Sequence, residues 1–377
     1  MLTFYTAGES HGRGIFAFLD GLPSGLAVDR FLIDADLSRR QKGYGRGGRM
    51  GIERDTADIL SGMRGGTTLG SPVLMAVWNR DFDNWKELMN PWSIVPGREL
   101  YTPRPGHADL AGAARFRHQD LRNVLERSSA RETAGRVAAG GFLRSLLKAL
   151  DIEVNSWVTR IGPAEFAGPF DQDRRDSSSV FVPDQDVTRE AEKAISEAAA
   201  KGDTLGGDFT VSIEGLPAGI GSYTQWDQRL DAQLSSALMS IPGIKAVQIG
   251  AGIECAMLPG SMIHDPILPS RPKNRSSNNA GGLEGGITNG QPVILRCTMK
   301  PIPTLKRGLP SIDLRDNSSV QAEYERSDVC AVPAASVVGE AMAIITMSSA
   351  ILGSFGQPSF EMLKTAFGGH RNYWEGI

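Results

Sequence analysis

The strongest constraint on how this chain can fold is that it repeats itself. Asp20-Gly21-Leu22-Pro23-Ser24-Gly25 follows the alternating apolar run Ile15-Phe16-Ala17-Phe18-Leu19. Far downstream, Glu214-Gly215-Leu216-Pro217-Ala218-Gly219 follows Phe209-Thr210-Val211-Ser212-Ile213. Each reads as a strand of period two ending in the same glycine–proline turn. A helix-like stretch comes next in both places, Asp34-Ala35-Asp36-Leu37-Ser38 and Asp231-Ala232-Gln233-Leu234-Ser235. Residues 62–73 then align without a gap on residues 282–293, from Gly62-Met63-Arg64-Gly65-Gly66 against Gly282-Leu283-Glu284-Gly285-Gly286 to Pro72-Val73 against Pro292-Val293. Common turn chemistry would account for one such pair. Three pairs in the same order point to a duplicated unit.

Each half closes on a long helix. Ser129-Ala130-Arg131-Glu132 has the form of a capping box and predicts a helix from 129 to about 150. The second is predicted to begin after Pro333 and to run to Leu352, before Gly353. Both carry many small residues, which permits close helix–helix contact. The second is apolar nearly all round and should be covered on every side. The predicted class is therefore α+β: a β-α-β sandwich of two pseudo-symmetric halves, with long central helices covered by antiparallel sheets. The expected organisation is a single domain over 1–377, with halves of roughly 1–160 and 205–377 and an insertion over 162–202. Within the insertion, 171–186 reads as a polar loop and 188–201 as a surface helix ended by Gly202.

With 377 residues and 41% hydrophobic content the chain can bury a large core. A net charge of −3 argues against general attraction to nucleic acid or membrane. Of 40 basic residues 10 are lysine and 30 arginine, and the arginine fork suits phosphate and carboxylate. Codon bias would raise arginine everywhere, so position must decide. Cys255, Cys297 and Cys330 show no metal spacing and form no disulfide framework. Met1-Leu2-Thr3-Phe4 opens no signal peptide, and a cytoplasmic protein is expected. The apolar stretch 331–352 contains Pro333 and Glu340 and reads as a buried helix, not a membrane span.

The candidate chemistry lies in a few glycine- and arginine-rich runs. Arg104-Pro105-Gly106-His107-Ala108-Asp109 sets a histidine between a stiff turn and an acid. Gly8-Glu9-Ser10-His11-Gly12 frames a second. Histidine titrates near neutrality, so both suit proton transfer. The Gly-x-Ser-x-Gly spacing matches a hydrolase elbow, but a strand follows where a helix is required. Arg39-Arg40-Gln41-Lys42-Gly43-Tyr44-Gly45-Arg46-Gly47-Gly48-Arg49 suits an enclosed anion, with a solvated loop and an RNA-binding segment as alternatives. Arg127-Ser128-Ser129-Ala130-Arg131-Glu132 reads as a phosphate site at a helix start, or as a cap alone. Arg326-Ser327-Asp328 occupies a related place before the second helix, with Asp328 either a catalytic carboxylate or a partner for Arg326. His118, His264 and His370 lack such framing, and no histidine pair has zinc spacing, so no metal site is expected.

Taken in order, these runs resemble the chorismate synthase family nearly end to end, joined by Asn278-Asn279-Ala280-Gly281-Gly282 and Lys300-Pro301-Ile302-Pro303-Thr304. Val329 stands after Asp328 where proline is also common in the family. The resemblance implies a substrate, 5-enolpyruvylshikimate 3-phosphate, whose phosphate is lost by 1,4-anti elimination to give chorismate. It also implies reduced FMN (FMNH2) as cofactor, with NADPH or a separate flavin reductase as the source of electrons. A homotetramer is implied as well. His11, His107 and Asp328 would be catalytic. Arg40, Arg46, Arg49, Arg104, Arg131 and Arg326 would bind substrate. Arg127, Ser128, Ser129, Ser236, Ala237, Gly285, Lys300, Pro301, Ile302, Pro303, Thr304 and Arg326 would bind the cofactor.

Overall fold

The computed structural model describes residues 2–46, 54–270, 272–322 and 327–377. The first unit runs through β1 (Thr3–Ala7), β2 (Gly14–Asp20), β3 (Ser24–Ala27), α1 (Arg30–Gln41), β4 (Asp58–Ile59), β5 (Met63–Arg64), β6 (Thr67–Leu69) and β7 (Val73–Trp78). After a long connection come α2 (Asp109–Phe116), α3 (Arg122–Ser128) and the central helix α4 (Thr133–Lys148). The second unit opens with β8 (Glu153–Ile161) and β9 (Ala164–Glu165), then the inserted α5 (Gln172–Ser177) and α6 (Gln185–Ala200). It resumes with β10 (Gly207–Glu214), α7 (Leu230–Met239), β11 (Ile244–Ile249), α8 (Gly260–Ile263), β12 (Leu283–Glu284), β13 (Ile287–Thr288) and β14 (Val293–Met299). A small hairpin of β15 (Pro310–Ile312) and β16 (Ser319–Gln321) leads to the central helix α9 (Val332–Phe355) and the terminal α10 (Phe360–Gly376).

Two antiparallel sheets form the outer layers, in the orders β1-β2-β7-β4 and β9-β8-β10-β14-β11. On each the inward residues alternate along the strand: Ile15, Ala17 and Leu19 on β2, and Phe209, Val211 and Ile213 on β10, are all buried. α4 packs against β2 and β7, α9 against β8 and β10, and α4 and α9 lie against each other between the sheets. The fold is thus the α+β sandwich of two pseudo-symmetric halves, with central helices covered by antiparallel sheets. α9 is long and apolar enough to span a bilayer, yet it lies buried in this core.

The duplication extends to single hydrogen bonds. Thr68 Oγ1 donates to Pro23 O at 2.6 Å and accepts from Leu26 N at 2.9 Å. Thr288 Oγ1 donates to Pro217 O at 2.7 Å and accepts from Ile220 N at 2.9 Å. Sheet order also matches β1 to β8 and β2 to β10. The strand before residue 160 therefore belongs in space with the second sheet, and the insertion interrupts the unit between its first two strands.

Three elements depart from the sequence expectation. The helix expected from 129 starts at Thr133, after a 3-10 turn over Ala130–Glu132. Ser129 Oγ accepts from Arg131 N, while the Glu132 carboxylate is taken by Thr6 Oγ1 at 2.6 Å and Arg136 Nε at 2.9 Å. Tertiary partners thus claim the acid that a capping box needs. α9 begins at Val332 and passes Gly353 to Phe355. The expected loop 171–186 contains α5, capped by Asp171 accepting from Arg174 N at 3.0 Å, and Val180, Phe181 and Val182 beyond it are buried core.

A charged cluster crosses the helical layer. Glu340 of α9, 1% exposed, accepts from Arg39 at 2.9 and 2.8 Å, from Ser156 Oγ at 2.7 Å, and from Arg144. Burial raises this carboxyl, but Arg39 and Arg144 outweigh it and hold it well below the usual carboxylate range. Arg39 thus belongs to the helix interface and not to the basic loop.

Candidate active site

The C-terminal end of α1 presents Arg40 beside Arg131 from the turn before α4. Both converge on Asp55, which no sequence motif announced. Arg40 Nη2 lies 2.5 Å from Asp55 Oδ2, and Arg131 Nη1 lies 2.8 and 2.7 Å from its two oxygens. All three are buried. Burial raises the Asp55 carboxyl, but Arg40 and Arg131 together pull it below its ordinary value. Burial in turn lowers Arg40, Asp55 opposes this, and the neighbouring Arg131 and Arg46 lower it further. Two buried guanidiniums thus share one carboxylate. Arg40 Nε is also buried with no hydrogen-bond partner among the described residues, a donor that an anionic ligand or water would satisfy.

Asn79, just after β7, joins this pair to the His11 loop. Its Oδ1 accepts from Arg131 Nε at 2.9 Å, and its Nδ2 donates to Gly12 O at 2.6 Å and Ser10 O at 3.1 Å. His11 Nδ1 lies 2.9 Å from Glu126 Oε1, and its backbone N–H donates to Glu126 Oε2 at 2.8 Å. The ring stacks on Trp85 with centroids 3.7 Å apart. Arg127 ends α3 with its guanidinium on Gly8 O and on Thr6 O and Oγ1. Ser128 is therefore at the end of a helix, not at a start, and its hydroxyl donates to Val124 O at 2.7 Å. Ser129 accepts from Arg131 N and keeps its proton for an acceptor.

The second histidine sits in a tight turn docked on another part of the chain. His107 Nδ1 is 2.6 Å from Asp109 Oδ1, and Arg104 donates to the same carboxylate through Nε at 2.8 Å and Nη2 at 3.0 Å. Arg104 Nη1 reaches Thr304 Oγ1 at 3.3 Å, and Lys300 Nζ donates to Gly106 O at 2.5 Å. A side chain at Gly106 would meet Pro303 Cβ at 3.3 Å, and its φ of +81° favours glycine. Burial raises the Asp109 carboxyl, but hydrogen bonds from His107 and Arg104 and their charge hold it well below the usual range. Lys300 is lowered by partial burial and by nearby Lys245.

A series of hydrogen bonds connects the segments that carry the two clusters. Ile302 O accepts from Thr204 Oγ1 at 2.7 Å, Val329 O from Leu205 N at 2.9 Å, and Gly45 O from Val329 N at 2.8 Å. Arg46 then pairs with Asp328 at 2.7 Å. The inserted segment fixes the start of the basic loop, since Tyr44 N donates to Ser179 O and its hydroxyl meets Ser196 Oγ, both at 2.9 Å. Arg49 and Arg326 lie outside the described residues. Ser236 and Ala237 sit on α7, and Lys300 N donates to Gly243 O just past the end of that helix. Gly285 lies instead at the start of α7, where Gly286 O accepts from Leu230 N. Gly285 and Lys300 are therefore held toward opposite ends of α7.

Residues 2–352 match the chorismate synthase family. The chain is 50% identical to chorismate synthase of Moorella thermoacetica over 383 residues, covering all of both chains. It is 49% identical to that of Trichlorobacter lovleyi, covering 96% of this chain and 97% of the relative. A crystal structure of chorismate synthase superposes with a TM-score of 0.81 at 38% identity, over 100% of this chain and 99% of the other. The likeness in sequence and in fold thus runs along nearly the whole length, and the chain belongs to the chorismate synthase family of carbon–oxygen lyases.

Proposed function

We propose that the chain eliminates phosphate from 5-enolpyruvylshikimate 3-phosphate by a 1,4-anti route, giving chorismate. The observation that carries this reading is the pair of buried guanidiniums on Asp55, joined through Asn79 to the His11 loop. Arg40 and Arg131 would take the phosphate or a carboxylate of the substrate, and Arg40 Nε has an acceptor still to find among the described residues. His11, at the end of this chain of bonds, would donate to the departing phosphate oxygen. Asp328, paired with Arg46, would receive the C6 proton. Arg49 and Arg326 would complete the clamp, with Arg104 contributing from its place on Asp109.

When bound, reduced FMN would lend electron density reversibly to carbon–oxygen bond cleavage, with no net change in its oxidation state. The donor chemistry of this chain fits that group: Ser236 is exposed, Ser129 keeps a proton to donate, and Lys300 opens the 300–304 stretch. Arg127, Ser128, Ala237 and Arg326 belong to the same proposed set, with Gly285 at the far end of α7. His107 would hold a proton at Nδ1 against Asp109 and so adjust charge beside the cofactor. Assembly into a homotetramer is supported by exposed Ile253, Met257, Met262 and Ile267 in one stretch of the chain. Cytoplasmic location and an external supply of reduced flavin complete the reading.

An anaerobic assay with NADPH and FMN, with and without dithionite, tests it. Chorismate should form from 5-enolpyruvylshikimate 3-phosphate whenever dithionite is present. No product with fully reduced FMN would refute the reading. Product with NADPH alone would show that the chain reduces its own flavin.

A further inference from the structure

We infer that Glu126 and Trp85 form a positioning pair that fixes the tautomer and the aim of His11, an inference that rests on the proposed role of His11. The Glu126 carboxylate makes two kinds of contact with one residue. It accepts the His11 backbone N–H at 2.8 Å and faces Nδ1 at 2.9 and 3.1 Å. Ser10 N also donates to Glu126 O at 2.9 Å, so α3 holds the loop by main chain and side chain together. Glu126 is 4% exposed, and Arg122, one turn earlier on α3, lies 3.6 Å from its Oε1.

A carboxylate accepts and does not donate, so it selects the form of the imidazole with its proton on Nδ1. Proton exchange with a ligand then runs through Nε2: the imidazolium, with Nδ1–H held on Glu126, donates its Nε2 proton and is left as the neutral Nδ1–H form. Trp85 fixes the plane: its ring stacks on His11 at 3.7 Å and 23°, and its own Nε1–H donates to Asp81 Oδ2 at 3.0 Å. The Arg122 guanidinium lies 5.7 Å from the Trp85 ring centroid, which ties the stack back to α3. Ring rotation would have to break the Glu126 bond and the stack at once. Further charge around this loop comes from Glu9 within it and from Arg127 on the carbonyls of Thr6 and Gly8. The same logic orients histidine by a buried carboxylate in hydrolytic triads.

The test is ¹⁵N NMR of histidine-labelled full-length protein, with the His11 signal assigned by its loss in His11→Ala, alongside turnover with reduced FMN and substrate. In the wild type Nδ1 should carry the proton. Glu126→Gln, whose amide can present either a donor or an acceptor, should populate the Nε2–H tautomer and lower kcat about 10–100-fold with KM changed less than about 3-fold. A wild-type His11 without a proton on Nδ1 would overturn the inference before any variant is made, as would Glu126→Gln with wild-type tautomer and kcat. Should His11→Ala retain full turnover, the catalytic role of His11 fails, and the tautomer still decides the assignment of Glu126.

Discussion

At the residue scale, the site is built from carboxylates that serve arginines and histidines. Asp109 and Asp55 are both held below the ordinary 3.8 of an aspartate, despite burial, by the cations around them. A folded-state value below the unfolded one contributes stability that is present above the unfolded value and lost as pH falls toward the folded one. Melting temperature should therefore drop as pH is lowered from about 5 to about 3, where unfolded aspartates take up protons. Asp109→Asn should flatten that slope, and an identical slope in the variant would contradict the assignment. Asp55→Asn leaves two buried guanidiniums facing a neutral partner and should destabilise by about 3–5 kcal/mol. Denaturant midpoints measure this, and an unchanged midpoint would show that the arginines are satisfied elsewhere. His11, His107, Arg40, Arg104 and Arg131 were legible as candidates, because each falls in a glycine- or arginine-rich run. Asp55, Asn79, Trp85 and Glu126 were not, since each acts across the fold: Glu126 meets His11 over 115 positions. No local spacing reports a contact of that range.

At the element scale, the two central helices meet through their small residues. A side chain at Gly140 of α4 would lie 2.5 Å from Ala341 Cβ and 2.7 Å from Ala341 Cα of α9. Alanine in a helix gains about 1 kcal/mol over glycine by propensity, but forcing it into a packed backbone costs about 1–3 kcal/mol. Gly140→Ala should therefore destabilise. At Gly369 on α10 a Cβ would meet nothing within 4 Å, so Gly369→Ala should stabilise by about 0.5–1 kcal/mol. Equal melting shifts for the two would contradict the close approach of α4 and α9. The apolar and small-residue pattern predicted both helices and their contact. It misplaced the start of α4 because Glu132, read as half of a cap, binds Thr6 and Arg136 instead. It also missed α5, whose single turn-forming signal is Asp171.

At the scale of the whole molecule, duplication explains why the site sits where it does. The matching threonine bonds of Thr68 and Thr288 show that each unit closes its hairpin on its own first turn. The unpaired features, the inserted α5 and α6 and the long 79–121 connection, are what break the symmetry. α6 pins Tyr44 at the start of the basic loop, and the connection carries Trp85 and the 104–109 turn. One half thus supplies most of the cations and both histidines, while the other supplies Asp328 and the 300–304 stretch beneath His107. The sequence repeat revealed the two units, but their spatial division falls before β8, because strand pairing is a long-range choice that turn motifs do not record.

We propose that this site catalyses an elimination of phosphate that is redox-neutral overall. Its most direct measurement is the yield of chorismate and inorganic phosphate per reduced FMN, under strict anaerobiosis with substrate in large excess. Many equivalents of both products should form in equal amount, with the flavin still reduced at the end. One product per flavin, or flavin oxidised in step with turnover, would contradict it.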